Sequence, residues 1–190
     1  MILRLDKAGL PLGWVTPLDA AHFMSKDHVS WTLGDVANVV YGGTNSSGLQ
    51  SSLEIPAIIA TRGKAGYRNL GKTPPLTNKA LFSRDGYMCL YCGKTRVTGG
   101  KSFRLTRDHI HPRGQDGLDV WVNVASACQR CNHHKDCRTP AQANMKLLAI
   151  PYEPNFAEGL ILSNRRILAD QMDFLRSFCN QDQFLNVAPN

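Results

Sequence analysis

The chain has 190 residues, a formal charge of +7 and 43% hydrophobic residues. That length suits one domain, or a small domain with a second lobe; no apolar run reaches the length of a membrane span, and the first six residues lack the apolar stretch of a secretory signal. The expectation is a cytoplasmic protein with no membrane partner. Its basic excess favours a polyanion such as nucleic acid, although a generally soluble basic protein also fits the charge.

In chain order, "MILRLDKAGLPLGWV" alternates apolar and polar residues around a Gly-Leu-Pro turn and predicts a strand pair. "TPLDAAHFM" predicts a short helix, with Thr16 as N-cap, Pro17 at the first helical position and Asp19 in the first turn. "HVSWTLG" is strand-like. "GGTNSSGLQSS" has no periodicity and reads as a loop. "LEIPAIIATR" carries a proline and predicts an edge strand. "GKAGYRNLGKTPP" is a second loop carrying Lys64, Arg68 and Lys72; a solvated basic loop and a phosphate contact both fit it.

A helix is expected from Thr77, closed by Gly86 in a left-handed conformation. "KSFRLTRDH" reads as a strand ending on Asp108 and His109, and "CNHHK" as helical. Thr139, Pro140 and Gln142 form a capping-box pattern that predicts a helix to about Leu148. From Leu160 onward, Ile161, Leu168, Met172, Leu175 and Cys179 recur at helical spacing, as a packing face would. These elements divide the chain into an extension (1–75), a central domain (76–150) and a helical tail (151–190).

Four of the six cysteines form two Cys-x-x-Cys pairs, Cys89/Cys92 and Cys128/Cys131. Each pair turns two thiolates toward one point, and two pairs complete a closed tetrahedron around a structural Zn²⁺. A redox Cys-x-x-Cys sits alone in a thioredoxin-like context, which is missing here. Cys137 and Cys179 read as ordinary small hydrophobes.

Between and beyond these pairs lie Asp108, His109, Asn123, Asn132 and Lys135. Asp108 and the Asn132 side-chain oxygen are hard donors of the kind Mg²⁺ prefers. A neutral histidine nearby can take a proton from a water attacking phosphorus, and the ion stabilises the developing charge. Fixing Cys128 and Cys131 also fixes the backbone of Asn132.

The spaced elements Cys-x-x-Cys, "LTRDHIHP", "WVNVASACQRCNHHK" and "RTP" resemble the zinc-containing HNH endonucleases, over about residues 82–148. The resemblance implies an α+β fold: a ββα-metal (His-Me finger) core stapled by a four-cysteine structural zinc, with an N-terminal α/β extension and C-terminal helices. It implies DNA as substrate and partner, and a catalytic Mg²⁺ or Mn²⁺. By the same resemblance His109 is the general base, and Asp108 and Asn132 hold the catalytic ion. Asn123 orients the histidine through the loop backbone. Lys135 and Arg138 contact phosphate, and Arg107, Arg113, His133 and His134 extend the DNA-binding set.

His133 and His134 stay open between a phosphate or metal contact and plain exposure, and His111 between positioning a phosphate and bonding a backbone carbonyl. His22 and His28 lie outside the motif. Two departures stand out: Asp116-Gly117 replaces the usual Gly-Gly, and Asp136 takes the place of the usual glycine after the helix lysine. The N-terminal segment, with "LRLDKAGLPLGW" and "VSWTLGD", resembles a lead-in of bacterial and phage members. A homodimer would account for cutting both strands. The competing class is a non-catalytic zinc-ribbon DNA-binding module; a carboxylate aimed at phosphate serves a nuclease and repels the ligand of a pure binder.

Overall fold

The computed structural model describes residues 1–179 and divides into two compact units. The first comprises residues 1–72 and 155–179, and the second residues 73–154. The sequence division at 75 and 150 thus becomes two units, with the described part of the C-terminal segment joining the N-terminal one. Residues 180–190 of the expected tail lie outside the described residues. Among the described residues no helix is long and apolar enough to cross a membrane.

The first unit begins with β1 (Ile2–Asp6) and β2 (Pro11–Val15), an antiparallel pair as expected. α1 (Pro17–Ser25) follows, with Thr16 and Asp19 closing a capping box. β3 (Val29–Thr44) and β4 (Gln50–Thr61) form a long antiparallel hairpin, and the sheet order is β2-β1-β4-β3. Buried Ile2, Ala20, Ala21, Ile55 and Ile59 pack α1 against this sheet.

Two expectations change here. Most of "GGTNSSGLQSS" is strand, and only residues 45–49 connect β3 to β4. The Asn45 side chain accepts from the amides of Ser47 and Leu49, so a compact turn suffices. β4 is also a central strand and not an edge. Its Pro56 is tolerated because it faces Val36 where the β3–β4 register slips.

In the second unit α2 (Asn78–Arg84) is capped by Thr77, and Gly86 has φ +61° just beyond its end. A short α3 (Arg96–Gly99), not expected from the sequence, follows the first cysteine pair. β5 (Leu105–His109) pairs antiparallel with β6 (Val124–Cys128), from Leu105 opposite Cys128 to His109 opposite Val124. α4 (Gln129–Lys135) starts as β6 ends, and α2 and α4 both pack on this hairpin. Leu81, Trp121 and Val124 form the core. Arg84 is buried against them, with its guanidinium donating to Asp85 and to the carbonyls of Trp121, Val124 and Tyr152. The Asp85 carboxylate in turn accepts from the Ser126 amide of β6.

The helix expected from Thr139 is a turn only. Thr139 and Gln142 do exchange their capping hydrogen bonds, but Asn144 adopts φ +53° and ends the winding at once. The single helix expected from Leu160 is two, α5 (Phe156–Ser163) and α6 (Ala169–Arg176), both in the first unit. α5 starts four residues early because Asn155 and Glu158 form a capping box. The buried Gln171 of α6 donates to the carbonyls of Met1 and Ala57. The chain as described is a mixed α+β protein.

Candidate metal centre and hydrolytic site

The four paired cysteines converge. The Sγ atoms of Cys89, Cys92, Cys128 and Cys131 all lie within 4.8 Å of one another, and those of Cys92 and Cys128 are 3.9 Å apart. A tetrahedron of Zn–S bonds of about 2.3 Å has edges of roughly 3.8 Å, so the cluster suits a bound metal such as zinc. The first pair turns through Gly93 at φ +71°, with the Gly93 amide donating to the Cys89 carbonyl. The Leu90 amide donates to the Ser126 carbonyl and so ties this turn to β6. Cys128 caps α4, and Cys131 lies in its first turn. Burial, then the neighbouring thiols, push the Cys131 thiol well above its usual range. A bound cation reverses that preference, because coordinating thiols are deprotonated. Cys137 is exposed and outside the cluster, and Cys179 is half-buried in the other unit.

The hairpin beside this cluster presents two faces, because successive strand residues point to opposite sides. Thr106 and Asp108 face α4: Thr106 accepts from the Asn132 side-chain amide at 2.9 Å, and Asp108 Oδ1 accepts from Lys135 Nζ at 3.0 Å. Asp108 Oδ2 accepts from the Tyr91 hydroxyl at 2.5 Å, and Asp108 is buried. Burial, with the bond to Asp108 adding to it, pushes the Tyr91 hydroxyl far above its usual range, so it stays a donor.

Arg107 and His109 point the other way, to Asp119. His109 Nε2 lies 2.9 Å from one Asp119 oxygen. Arg107 Nη1 donates to both, at 2.9 and 2.7 Å, and its other nitrogens reach Asn78 and the Leu76 carbonyl. Burial raises the Asp119 carboxyl, but hydrogen bonds and charge from Arg107 and His109 outweigh it and hold the carboxyl below its usual range. The structure therefore brings Asp108, Asn132 and Lys135 together on one face and sets His109 on the other with Asp119.

Asn123 pins the loop between the strands. It accepts from the His111 amide and donates to the carbonyls of His111 and Leu118, while its own carbonyl accepts from the Ile110 amide. His111 Nε2 bonds the Gln115 carbonyl. In the same loop Asp116 adopts φ +65°, and a Cβ on Gly117 would meet the His111 carbonyl oxygen at 1.8 Å, so only glycine fits there. Asp136 adopts φ +51° directly after α4. The departure from the usual glycine thus falls on a left-handed residue, where a side chain is strained.

The remaining expected site residues have the following surroundings. Lys135 was expected on phosphate but is buried, held by Asp108 and the His109 carbonyl. Arg107 is engaged by Asp119 and Asn78. Asp108 was expected on a divalent ion, yet an ammonium group already sits at one oxygen and a phenol at the other. Asn132 uses its side-chain amide on Thr106, and its side-chain oxygen takes no partner among the described residues. Arg138 folds back on the carbonyls of His134 and Lys135. Arg113, His133 and His134 are exposed. Sequence reasoning missed Asp119 and Tyr91. Tyr91 lies inside the first Cys-x-x-Cys, and Asp119 lies ten residues past His109 in a loop whose path the sequence does not reveal.

Residues 89–148, which hold the cysteine cluster, both hairpin strands and α4, match the family model described as HNH endonuclease. The chain carries an HNH endonuclease domain. Comparison with curated proteins and with solved structures gives no match. The HNH domain implies a nuclease acting on DNA, and its four-cysteine cluster lies within the matched stretch.

Proposed function

We propose that the HNH domain hydrolyses phosphodiester bonds of DNA, with His109 as the general base. The observation that carries this is the His109–Asp119 pair at the end of β5, in a domain of nuclease family. The carboxylate fixes which ring nitrogen faces it, leaving the other to take the proton of a water attacking phosphorus. Asn123 holds the adjoining loop. A closed four-cysteine zinc supplies no chemistry and braces β6 and α4. The order β5-β6-α4 supports the ββα-metal reading of the core, and Arg113, His133 and His134 are the cation and imidazoles proposed to meet DNA.

A catalytic Mg²⁺ or Mn²⁺ on Asp108 and Asn132 belongs to the implied family chemistry, where such an ion neutralises phosphate charge. The residues as arranged do not fit it, since Asp108 is buried and bound to Lys135 and Tyr91.

That same neutralisation of Asp108 favours one second reading, the non-catalytic zinc-ribbon DNA-binding module, because a neutralised carboxylate no longer repels phosphate. Cleavage of DNA by the zinc-loaded protein, lost in His109→Ala with binding retained, supports the nuclease. Binding without cleavage by the folded wild type supports the module.

A further inference from the structure

The first unit contains a cavity of about 440 Å³ that the nuclease chemistry does not use. Its lining includes Arg4, Lys64, Arg68, Lys72, Trp14 and Gly63, and no acidic residue. Among the described residues, no salt bridge joins any of these four cations to an acid. Four like charges around one space repel each other unless an anion enters.

The cavity wall is held in place. The Gly66 amide donates to the buried Asp6 carboxylate at 2.7 Å. A Cβ on Gly66 would meet Leu10 at 2.5 Å, so the loop sits directly on the β1–β2 turn. Asn69 donates to the Pro11 carbonyl and accepts from Lys72 Nζ at 3.0 Å. Arg4 is fixed by its bond to Thr61 Oγ1 and by stacking 4.2 Å over the Phe23 ring. The Trp14 indole is anchored through its N–H to the Leu160 carbonyl.

We propose that this cleft binds the phosphate backbone of DNA, with Arg4, Lys64, Arg68 and Lys72 as the phosphate-facing cations and Trp14 as the wall for sugar or base. It gives the N-terminal unit a DNA contact of its own, apart from the HNH domain. Pockets of a few hundred Å³ suit a ligand group of this size, and an aromatic face beside basic groups suits a nucleotide strand. The proposal rests on the nuclease reading only for the identity of the polymer.

The test is fluorescence anisotropy of a labelled duplex with the full zinc-loaded chain, without added divalent ion, across a range of NaCl. Lys64→Ala/Arg68→Ala is expected to bind roughly tenfold more weakly, with the salt slope reduced by about two, one for each lost phosphate contact. Lys64→Arg/Arg68→Lys keeps both charges and is expected to keep the wild-type slope. An unchanged melting curve and zinc content show that the alanine variant folds. Wild-type affinity and slope in the folded alanine variant would overturn the cleft. Because the assay reads binding alone, a protein that never cleaves still supports the cleft if the alanine variant loses affinity. A protein that cleaves still loses the cleft if affinity and slope are unchanged.

Discussion

Lys135 Nζ lies 3.0 Å from Asp108 Oδ1, and both side chains are almost closed to solvent. The ammonium also donates to the His109 carbonyl, so one lysine on α4 clamps two consecutive residues of β5. Removing one partner leaves a buried charge without its counterion, which costs about 3–5 kcal/mol. Lys135→Met is therefore expected to lose that much in urea unfolding. Asp108→Asn/Lys135→Met removes both charges and is expected to recover most of it. Equal stability of the single variant and the wild type would refute the clamp.

Asp119 holds His109 and Arg107 at once. Asp119→Asn keeps the size of the side chain but removes the anion that orients the imidazole. If His109 is the base, kcat for DNA cleavage falls on the order of tenfold, part of what a positioned base supplies. DNA affinity in the absence of turnover stays near wild type. A variant with undiminished kcat would separate Asp119 from the chemistry.

The cysteine cluster predicts one zinc per chain. Cys128→Ser is expected to lose that zinc and to lower the melting temperature, because metal affinity of a structural site is folding free energy. Cys137→Ser, exposed and outside the cluster, is expected to keep both. Metal content by mass spectrometry beside thermal melts reads this directly; an unaltered melt of Cys128→Ser would remove the structural role.

Asp6 gives the first unit an acid limb. Burial raises its carboxyl, but backbone amides of Gly66, Leu10, Ala8 and Gly9 together bring it below its usual value. A carboxyl depressed in the folded state contributes stability above its unfolded pKa of about 3.9 and loses it as the pH falls through the lower folded value. Melting followed from about pH 6 down to about pH 2 is expected to show this loss below about pH 4, and Asp6→Asn is expected to flatten it. Parallel pH curves for the two proteins would assign the acid limb elsewhere.

The parts of the molecule written in local chemistry were readable from the sequence. Thr16 and Thr77 announce their helices because capping acts over three residues. The two Cys-x-x-Cys pairs announce their meeting point because four thiols have few other uses in such spacing. What the sequence does not show is set by distant partners. Nothing near Gly42 and Gly43 signals a strand, because β4 supplies the pairing. Pro56 reads as an edge until its bulge is seen. Lys135 reads as a surface cation until its partner across the helix–strand contact is known. Asp108 and His109 are adjacent in sequence, yet strand alternation turns the two side chains to opposite faces.

Whether His109 does chemistry on DNA decides the rest. The most direct measurement is conversion of supercoiled plasmid by the zinc-loaded protein, supplied with Mg²⁺ or Mn²⁺, comparing wild type with His109→Ala. The expected result is nicked or linear product from wild type and none from the variant, with DNA binding and zinc content equal in both. Cleavage by His109→Ala at the wild-type rate, or no cleavage by folded, zinc-loaded wild type, would contradict it.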